Sequence, residues 1–229
     1  MTTIDVLCTL GMRSVLVDLA DAFTREKGVA FSASYQSTVA LMERIASGES
    51  ADVAIITDAA IETLVAQGRV SRESRRDLAS SSVGLAVRAG APRPDISTPD
   101  ALKHALLSAR SITYTLTGAS GIHFARVIGQ LGIADAINAK ATVRDGLAGE
   151  LAARGEVELA VQQISELMQA KGIDIVGPLP AEVQKSTVFS AGIFAAAKAP
   201  ADAATLIAWL STPATAAIIR AKGMEPLQV

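Results

Sequence analysis

The feature that most constrains the fold is a recurring order of short apolar strand, polar or glycine-containing turn, and helix. The clearest turns are Thr9–Arg13, Tyr35–Thr38, Thr117–Gly121 and Val143–Gly146. Strands that return through a helix run parallel, so this order predicts a mainly parallel sheet covered by helices. In such folds ligands lie outside the carboxyl ends of the strands, where helix N-termini present unpaired N–H groups and a positive dipole end. The turns therefore predict sites for a small anion.

Composition excludes several classes of protein. The chain has 229 residues, half of them hydrophobic, and a formal net charge of -2, so it lacks the basic stripe that nucleic-acid binding requires. No stretch approaches the roughly 18 apolar residues of a membrane span. Two histidines and the single cysteine, Cys8, form no metal-ligand spacing, and no P-loop or dinucleotide fingerprint is present, so neither metal nor cofactor is expected.

Turn and capping signals divide the pattern into two α/β lobes. We predict that lobe 1 comprises residues 1–83 plus 196–229, and that lobe 2 comprises 84–195, including a return strand near 187–195. Ser37 or Thr38 is predicted to cap a helix, and Thr98 and Thr212 each precede a proline in the N-cap arrangement. A helix is predicted over 144–154, and Gly28 is predicted to end the first long helix.

The N-terminus leaves the compartment open. Met1 leads within three residues into the first strand, without a signal-peptide pattern. The protein is expected to be cytoplasmic if Met1 is the native start, and periplasmic if a signal peptide was trimmed.

Several strings resemble the type II periplasmic solute-binding proteins, and within these the molybdate-binding branch. They are Phe23–Val29, Ile45–Val53, Ala119–His123 and Thr212–Gly223. The resemblance covers essentially the whole chain. It implies a two-lobed α/β fold with a ligand cleft between the lobes, and a possible permease of an ABC transporter as partner. Some proteins of this branch resemble aconitate isomerases, which implies that an enzyme on this scaffold is conceivable.

The resemblance also implies a ligand site, from which this chain departs. Molybdate binders use a serine after the first strand, a hydroxyl after the second, backbone amides of the second lobe, and a tyrosine. Here Gly11 stands at the first serine position and Gln162 at that of the tyrosine. A hydroxyl survives at Ser37 or Thr38, and the amide position falls near Ser120. Molybdate itself is therefore not the expected ligand.

A larger ligand that carries carboxylates is expected instead. Arg13, His123 and Arg144 are each predicted to lie one or two residues into a helix, and a guanidinium matches carboxylate geometry. The full set of candidate ligand contacts is Thr9, Gly11, Arg13, Ser37, Thr38, Ser120, Gly121, His123, Arg144 and Gln162. Each also has an ordinary interpretation: the glycines as tight turns, the hydroxyls as helix caps, the arginines as surface residues and His123 as a packed side chain.

Two functions remain open from the sequence. The first is a binding protein that closes on a small anion, an organic acid or an oxyanion, as a transporter receptor or a sensor. The second is an isomerase of an unsaturated di- or tricarboxylate, in which His123 shuttles a proton and the arginines stabilise the developing negative charge.

Overall fold

The computed structural model describes residues 2–227, and its chain packs into two compact units. Unit 1 comprises the chain up to Ser80 and from Thr187 onward, and unit 2 comprises Ser81–Ser186. The strands are, in chain order, β1 Thr3–Thr9, β2 Ala30–Gln36, β3 Val53–Thr57, β4 Arg76–Arg88, β5 Ile112–Tyr114, β6 Ala141–Val143, β7 Leu159–Gln163, β8 Ile173–Pro178, β9 Ser186–Ile193 and β10 Glu225–Pro226. The helices are α1 Arg13–Lys27, α2 Thr38–Ala46, α3 Asp58–Ala66, α4 Pro99–Ser108, α5 Ala119–Gln130, α6 Ala134–Asn138, α7 Ala148–Ala153, α8 Ile164–Leu167, α9 Pro200–Leu210 and α10 Pro213–Ala221.

The sheet of unit 1 is buried on both faces. Strands β2, β1 and β3 lie side by side and run parallel, and β9 pairs antiparallel with β3. Successive residues of a strand point to opposite faces. Accordingly Val6 and Cys8 pack in the cluster that includes α1 and α9, whereas Leu7 packs in the cluster that includes α2 and α3.

Unit 2 has its own sheet and core. Its strands lie in the order β4, β7, β5, β6, with β5, β6 and β7 parallel and with β4 antiparallel to both β7 and β8. Leu159 and Val161 pack with α4 and α5, and Ala160 packs on the other face with α7. The predicted parallel pairing is thus confirmed in each unit.

The strand register brings the polar turns to one edge of each sheet. In unit 1, Cys8 is in register with Tyr35 and Ile55, so β1, β2 and β3 end together. In unit 2, Tyr114 is in register with Val143, and β7 runs parallel to β5 beside them. The turns that follow these strands therefore share an edge in each unit.

The helix ends predicted at Gly28, Ser37, Thr98 and Thr212 are confirmed, and the helix start predicted at 144 is wrong. The Ser37 hydroxyl caps α2 by accepting from the Ala40 N–H at 3.3 Å, and Gly28 ends α1 with a left-handed φ of 67°. Thr212 is the N-cap of α10 and Pro213 is its first residue, as predicted, although the Thr212 hydroxyl donates to the Trp209 carbonyl at 2.8 Å instead of accepting from the first turn. The helix predicted from 144 begins only at Ala148, because the preceding turn contains Gly146 with a φ of 97°, which no right-handed helix contains.

Within residues 2–227, no single helix combines the length and the apolar composition needed to cross a membrane. The pair α9 and α10 reaches that length and composition jointly, with a bend of 66° between the two helices.

Candidate functional site

The turn before α5 contains the most distinctive polar group in unit 2. Gly118 is the N-cap of α5 and offers no side chain, so the first N–H groups of the helix have no capping hydroxyl. The Ser120 hydroxyl is buried, with 1% of the residue exposed, and has no hydrogen-bond partner among residues 2–227. The Thr115 hydroxyl, in the same turn, is also buried and unpartnered within that range.

The two hydroxyls face the same small space beside Gly118. A Cβ placed on Gly118 would lie 2.6 Å from Thr115 Oγ1 and 3.8 Å from Ser120 Oγ. A buried hydroxyl without a partner costs stability, about 1–3 kcal/mol, and such groups are rare in folded proteins. Together with a helix N-terminus, two of them form a donor-rich pocket whose natural occupant is an anion.

Gly121 is required by the packing of this turn. A Cβ on Gly121 would lie 1.5 Å from the carbonyl oxygen of Thr115, so no other residue fits without moving the backbone. The close approach holds the Thr115 side of the turn against the first turn of α5. We call the segment Thr115–Gly121 the α5 cradle.

His123 lies further along α5 than predicted. It is the fifth residue of the helix, not the first or second, because α5 begins at Ala119. Its Nε2 is 2.7 Å from the carbonyl oxygen of Val183, which can only accept, so Nε2 carries a proton. In the neutral imidazole this leaves the lone pair on Nδ1.

Arg144 does not lie in a helix, contrary to prediction. It is exposed in the loop between β6 and α7, and no ion pair within 4.0 Å involves it in the described part of the chain. Its neighbour Asp145 accepts a hydrogen bond of 2.5 Å from the Thr117 hydroxyl of the α5 cradle. The loop that carries Arg144 is thus tied to the cradle.

Gln162 is committed to the protein itself. The buried side chain accepts from the Ala148 N–H at 2.7 Å and donates to the Gly146 carbonyl at 2.8 Å. It therefore fixes the turn into α7. Its predicted contact with a ligand stays a prediction.

In unit 1, the hydroxyls predicted after β1 and β2 do meet. Thr38 Oγ1 donates to Thr9 Oγ1 at 3.4 Å, and Thr9 is buried. Ser37 is occupied by its capping bond. Sequence reasoning missed Ser14, whose hydroxyl is buried in the first turn of α1 without a partner among residues 2–227.

Gly11 is covered by an aromatic ring. A Cβ on Gly11 would lie 2.5 Å from Cζ of Phe189, a buried residue of β9. A serine at this position would collide with the ring, so the missing hydroxyl is replaced by an apolar surface. No sequence signal links these two positions, because β9 joins the sheet from the far end of the chain.

Arg13 is the first residue of α1 and is exposed. Its guanidinium carbon lies 5.9 Å from the ring centroid of Tyr35, within the range of a cation–π contact. Burial raises the pKa of Tyr35 to about 12, with the nearby Cys8 adding to the rise and Arg13 opposing it. Tyr35 is therefore a neutral hydroxyl donor at physiological pH, and it was not among the predicted residues.

A separate cavity of about 770 Å³ lies at the opposite edge of the unit 2 strands, where β5 and β7 begin. Apolar residues of its lining include Val87, Pro92, Ala105 and Leu159, and both of its carboxylates already have hydrogen-bond partners.

Those two carboxylates are Asp95, which accepts from the Ser97 N–H at 2.9 Å, and Glu158, which pairs with Arg110. The cavity is mainly apolar, and no helix N-terminus with unpartnered hydroxyls opens into it as in the α5 cradle. We therefore assign the candidate anion site to the cradle rather than to this cavity.

Residues 2–227 contain no cluster of three or more histidine, cysteine, aspartate or glutamate side chains that could hold a metal ion. Cys8 is fully buried, and burial raises its pKa well above the usual value, so the thiol is not a nucleophile at neutral pH. Cys8 is therefore a small hydrophobic residue of the unit 1 core.

Comparison with known proteins identifies the class. Residues 4–225 match the family model described as bacterial extracellular solute-binding protein, and the chain belongs to that family. Among solved structures, the periplasmic molybdate-binding protein of Azotobacter vinelandii superposes with a TM-score of 0.83 at 23% identity, over 98% of this chain and 100% of that one. The sulfate-binding protein SubI of Mycobacterium tuberculosis superposes with a TM-score of 0.74 at 18% identity, over 99% and 88% of the two chains. These similarities confirm the predicted α/β fold of this class.

A curated relative is more similar in sequence. An aconitate isomerase from a Pseudomonas species is 35% identical over 233 aligned residues, which cover 99% of this chain and 88% of the relative.

Proposed function

We propose that this protein binds a small unsaturated polycarboxylate and moves its double bond by a proton shift. The observation that carries the proposal is the 35% identity to an aconitate isomerase across 99% of the chain. The site geometry supports it, because the α5 cradle suits a carboxylate and the exposed side chains of Arg13 and Arg144 lie at polar turns of the chain.

The α5 cradle is the proposed anchor for one carboxylate. The hydroxyls of Thr115 and Ser120 lack partners among the described residues, and the first N–H groups of α5 have no acceptor within the helix. A carboxylate has two oxygens and about four lone-pair positions, enough to accept from both hydroxyls and from the backbone. Binding would then satisfy groups that are otherwise left unpaired.

Gly11 supports an organic acid over a tetrahedral oxyanion. Phe189 occupies the space in which a serine side chain would stand at position 11, so the protein offers a ring there instead of a hydroxyl. An apolar contact suits the carbon skeleton of an organic acid. Arg13 and Arg144, both exposed, would each match a further carboxylate in a bidentate way.

His123 is the proposed base. With Nε2 donating to the Val183 carbonyl, Nδ1 of the neutral ring can accept a proton. In the proposed step it removes a proton from the methylene carbon next to a carboxylate, and the electron pair spreads over the adjacent double bond. A proton then returns to the carbon that carried the double bond, so composition and charge are unchanged and no oxidant is needed.

A second candidate function is a receptor that binds the same class of acid without chemistry. Membership of the solute-binding family favours it. Closure of two lobes on the ligand and delivery to an ABC-transporter permease belong to this candidate and remain predictions.

Turnover distinguishes the two functions. Trans-aconitate is incubated with the protein, and the appearance of the cis isomer is followed by proton NMR, while calorimetry measures binding. An isomerase converts the substrate, and His123→Asn lowers turnover far more than binding, because a base acts mainly in the transition state. His104→Asn is the matched control, since His104 is exposed on α4 in a part of unit 2 outside the α5 cradle, where its Nε2 lies 3.5 Å from the Ser108 hydroxyl.

The turnover and binding measurements together decide between the isomerase and the receptor. Binding without turnover in the unmodified protein refutes the isomerase and leaves the receptor. Binding of molybdate or tungstate but of no polycarboxylate refutes the choice of ligand. Ser120→Ala should weaken polycarboxylate binding about tenfold, in line with the loss of one hydrogen bond to a charged group.

A further inference from the structure

Glu166 is a buried carboxyl group that the proposed mechanism does not use. It lies in the short helix α8, directly after β7, with 8% of the residue exposed. No ion pair within 4.0 Å involves it in the part of the chain that the structure describes. A buried carboxylate without a cation is costly and calls for an explanation.

The charged residues of the elements packed against α8 do not supply a partner. Strand β7 has none. Helix α7 contributes Glu150, which is more than half exposed and lies near Arg154, and β8 contributes Asp174, which pairs with Arg93. Both are themselves acidic, so neither stabilises a carboxylate at position 166.

Glu166 instead connects to the turn that carries Arg144. Its carboxyl group is hydrogen-bonded to the side chain of Gln162 and to the backbone N–H of Gln163. Gln162 in turn holds the Gly146 carbonyl and the Ala148 N–H. One continuous chain of hydrogen bonds thus runs from Glu166 to the loop in which Arg144 lies.

We propose that Glu166 is a positioning residue that fixes the segment 144–148, and hence Arg144, through Gln162, so that its protonation state alters ligand binding. This inference rests on the proposed function only for its effect on the ligand. The effect on the segment itself follows from the hydrogen bonds alone.

The two protonation states of Glu166 form different hydrogen bonds with Gln162. A carboxylate accepts from the Gln162 amide and leaves Oε1 free for the Ala148 N–H. A protonated carboxyl group can also donate, and its O–H then competes with the Ala148 N–H for Gln162 Oε1. Burial raises the pKa of Glu166 to about 7, while the two hydrogen bonds lower it, so the change falls near neutral pH.

Hydrogen exchange tests the positioning without any ligand. For exchange that occurs by local opening rather than by global unfolding, we expect the Ala148 amide to be less protected at pH 6 than at pH 8, after correction for intrinsic exchange, and we expect Glu166→Gln to remove that difference. Glu150→Gln, on the adjoining helix, is the matched control and should keep it. Equal protection of Ala148 at both pH values in the unmodified protein would overturn the proposal, and this measurement needs no variant to fold.

Binding of trans-aconitate tests the consequence for function. The ratio of Kd in Glu166→Gln to Kd in the unmodified protein cancels the titration of the ligand itself. This ratio should be near one at pH 6 and should rise to about three- to tenfold at pH 8. The expected rise is smaller than the loss of the whole Arg144 contact, because Arg144 would be misplaced and not removed. In the Arg144→Gln background the ratio should stay near one at both pH values.

The remaining outcomes separate the two proposals. If the ratio changes equally with and without Arg144, Glu166 acts on the ligand through its charge, and the positioning role is refuted. If the unmodified protein binds no polycarboxylate, the proposed function fails, whereas the exchange result at Ala148 still decides the role of Glu166.

Discussion

Burial of Glu166 predicts an unusual dependence of stability on pH. Its folded-state pKa of about 7 lies above the ordinary value of 4.5. The folded state therefore binds the proton more tightly than the unfolded state, so the contribution is present below about pH 4.5 and is lost as the pH rises through about 7. At about 1.4 kcal/mol per pKa unit, the loss is about 3 kcal/mol.

Glu166→Gln removes this titration and should reveal the loss. At pH 8 the variant is expected to be more stable than the unmodified protein by up to about 3 kcal/mol, or roughly 6–12 °C in Tm, and near pH 4.5 the gain should vanish. Urea unfolding at several pH values, followed by circular dichroism, measures it. Glu150→Gln, at an exposed carboxylate, should change stability little at any of these pH values.

The single tryptophan provides an internal control. Trp209 lies in the core of unit 1, whereas Glu166 lies in unit 2. If the units unfold in separate steps, the fluorescence transition of Trp209 should not follow the pH-dependent gain. A stability difference between Glu166→Gln and the unmodified protein that is the same at pH 4.5 and pH 8 would refute the assignment of a raised pKa to Glu166.

Three further predictions concern packing and buried charge. Gly121→Ala should destabilise the protein strongly and abolish polycarboxylate binding, because its Cβ would lie 1.5 Å from a backbone carbonyl oxygen. Gly129→Ala on the same helix is the control, since its Cβ meets no atom within 4 Å; it should stabilise the protein by about 0.4–1 kcal/mol in thermal unfolding. Gly11→Ser should destabilise through its collision with Phe189, and adding Phe189→Ala should recover part of that loss, as a double-mutant cycle by urea unfolding would show. Asp52→Asn should lower the free energy of unfolding by about 1.5–3 kcal/mol at pH 7, because the carboxylate accepts three backbone N–H bonds. Burial raises the pKa of Asp52, but these bonds lower it below 3.8 overall. The difference in stability should therefore shrink only in strong acid.

Local patterns were sufficient to predict the fold because they reflect local physics. The apolar strand β1, the stripe of α1 and the glycine that ends it all appear in consecutive residues. The turn Thr117–Gly121 of the α5 cradle was predicted for the same reason, since strand, turn and helix start follow one another within a few residues. Thr115, which directly follows β5, could have been included on that signal.

The rest of the site depends on contacts between distant parts of the chain. The ring of Phe189 over Gly11 joins β9 to the turn after β1, and nothing near either residue signals it. Gln162 resembled a free donor and acceptor, yet its amide is used by the turn into α7. Arg144 was placed in a helix because Gly146 was interpreted as part of the helix start, whereas its left-handed conformation delays the helix.

The departures from ordinary packing in unit 2 concentrate around the ends of β5 and β7. The α5 cradle contains two buried hydroxyls that lack partners among residues 2–227, and Glu166 is buried without a cation. Each lowers the stability of the fold, and a protein that needed only stability would replace such groups with apolar residues. Such exceptions are expected at functional sites. An anion in the α5 cradle would satisfy the hydroxyls, and Glu166 would hold the neighbouring Arg144 loop, so a single function accounts for both departures.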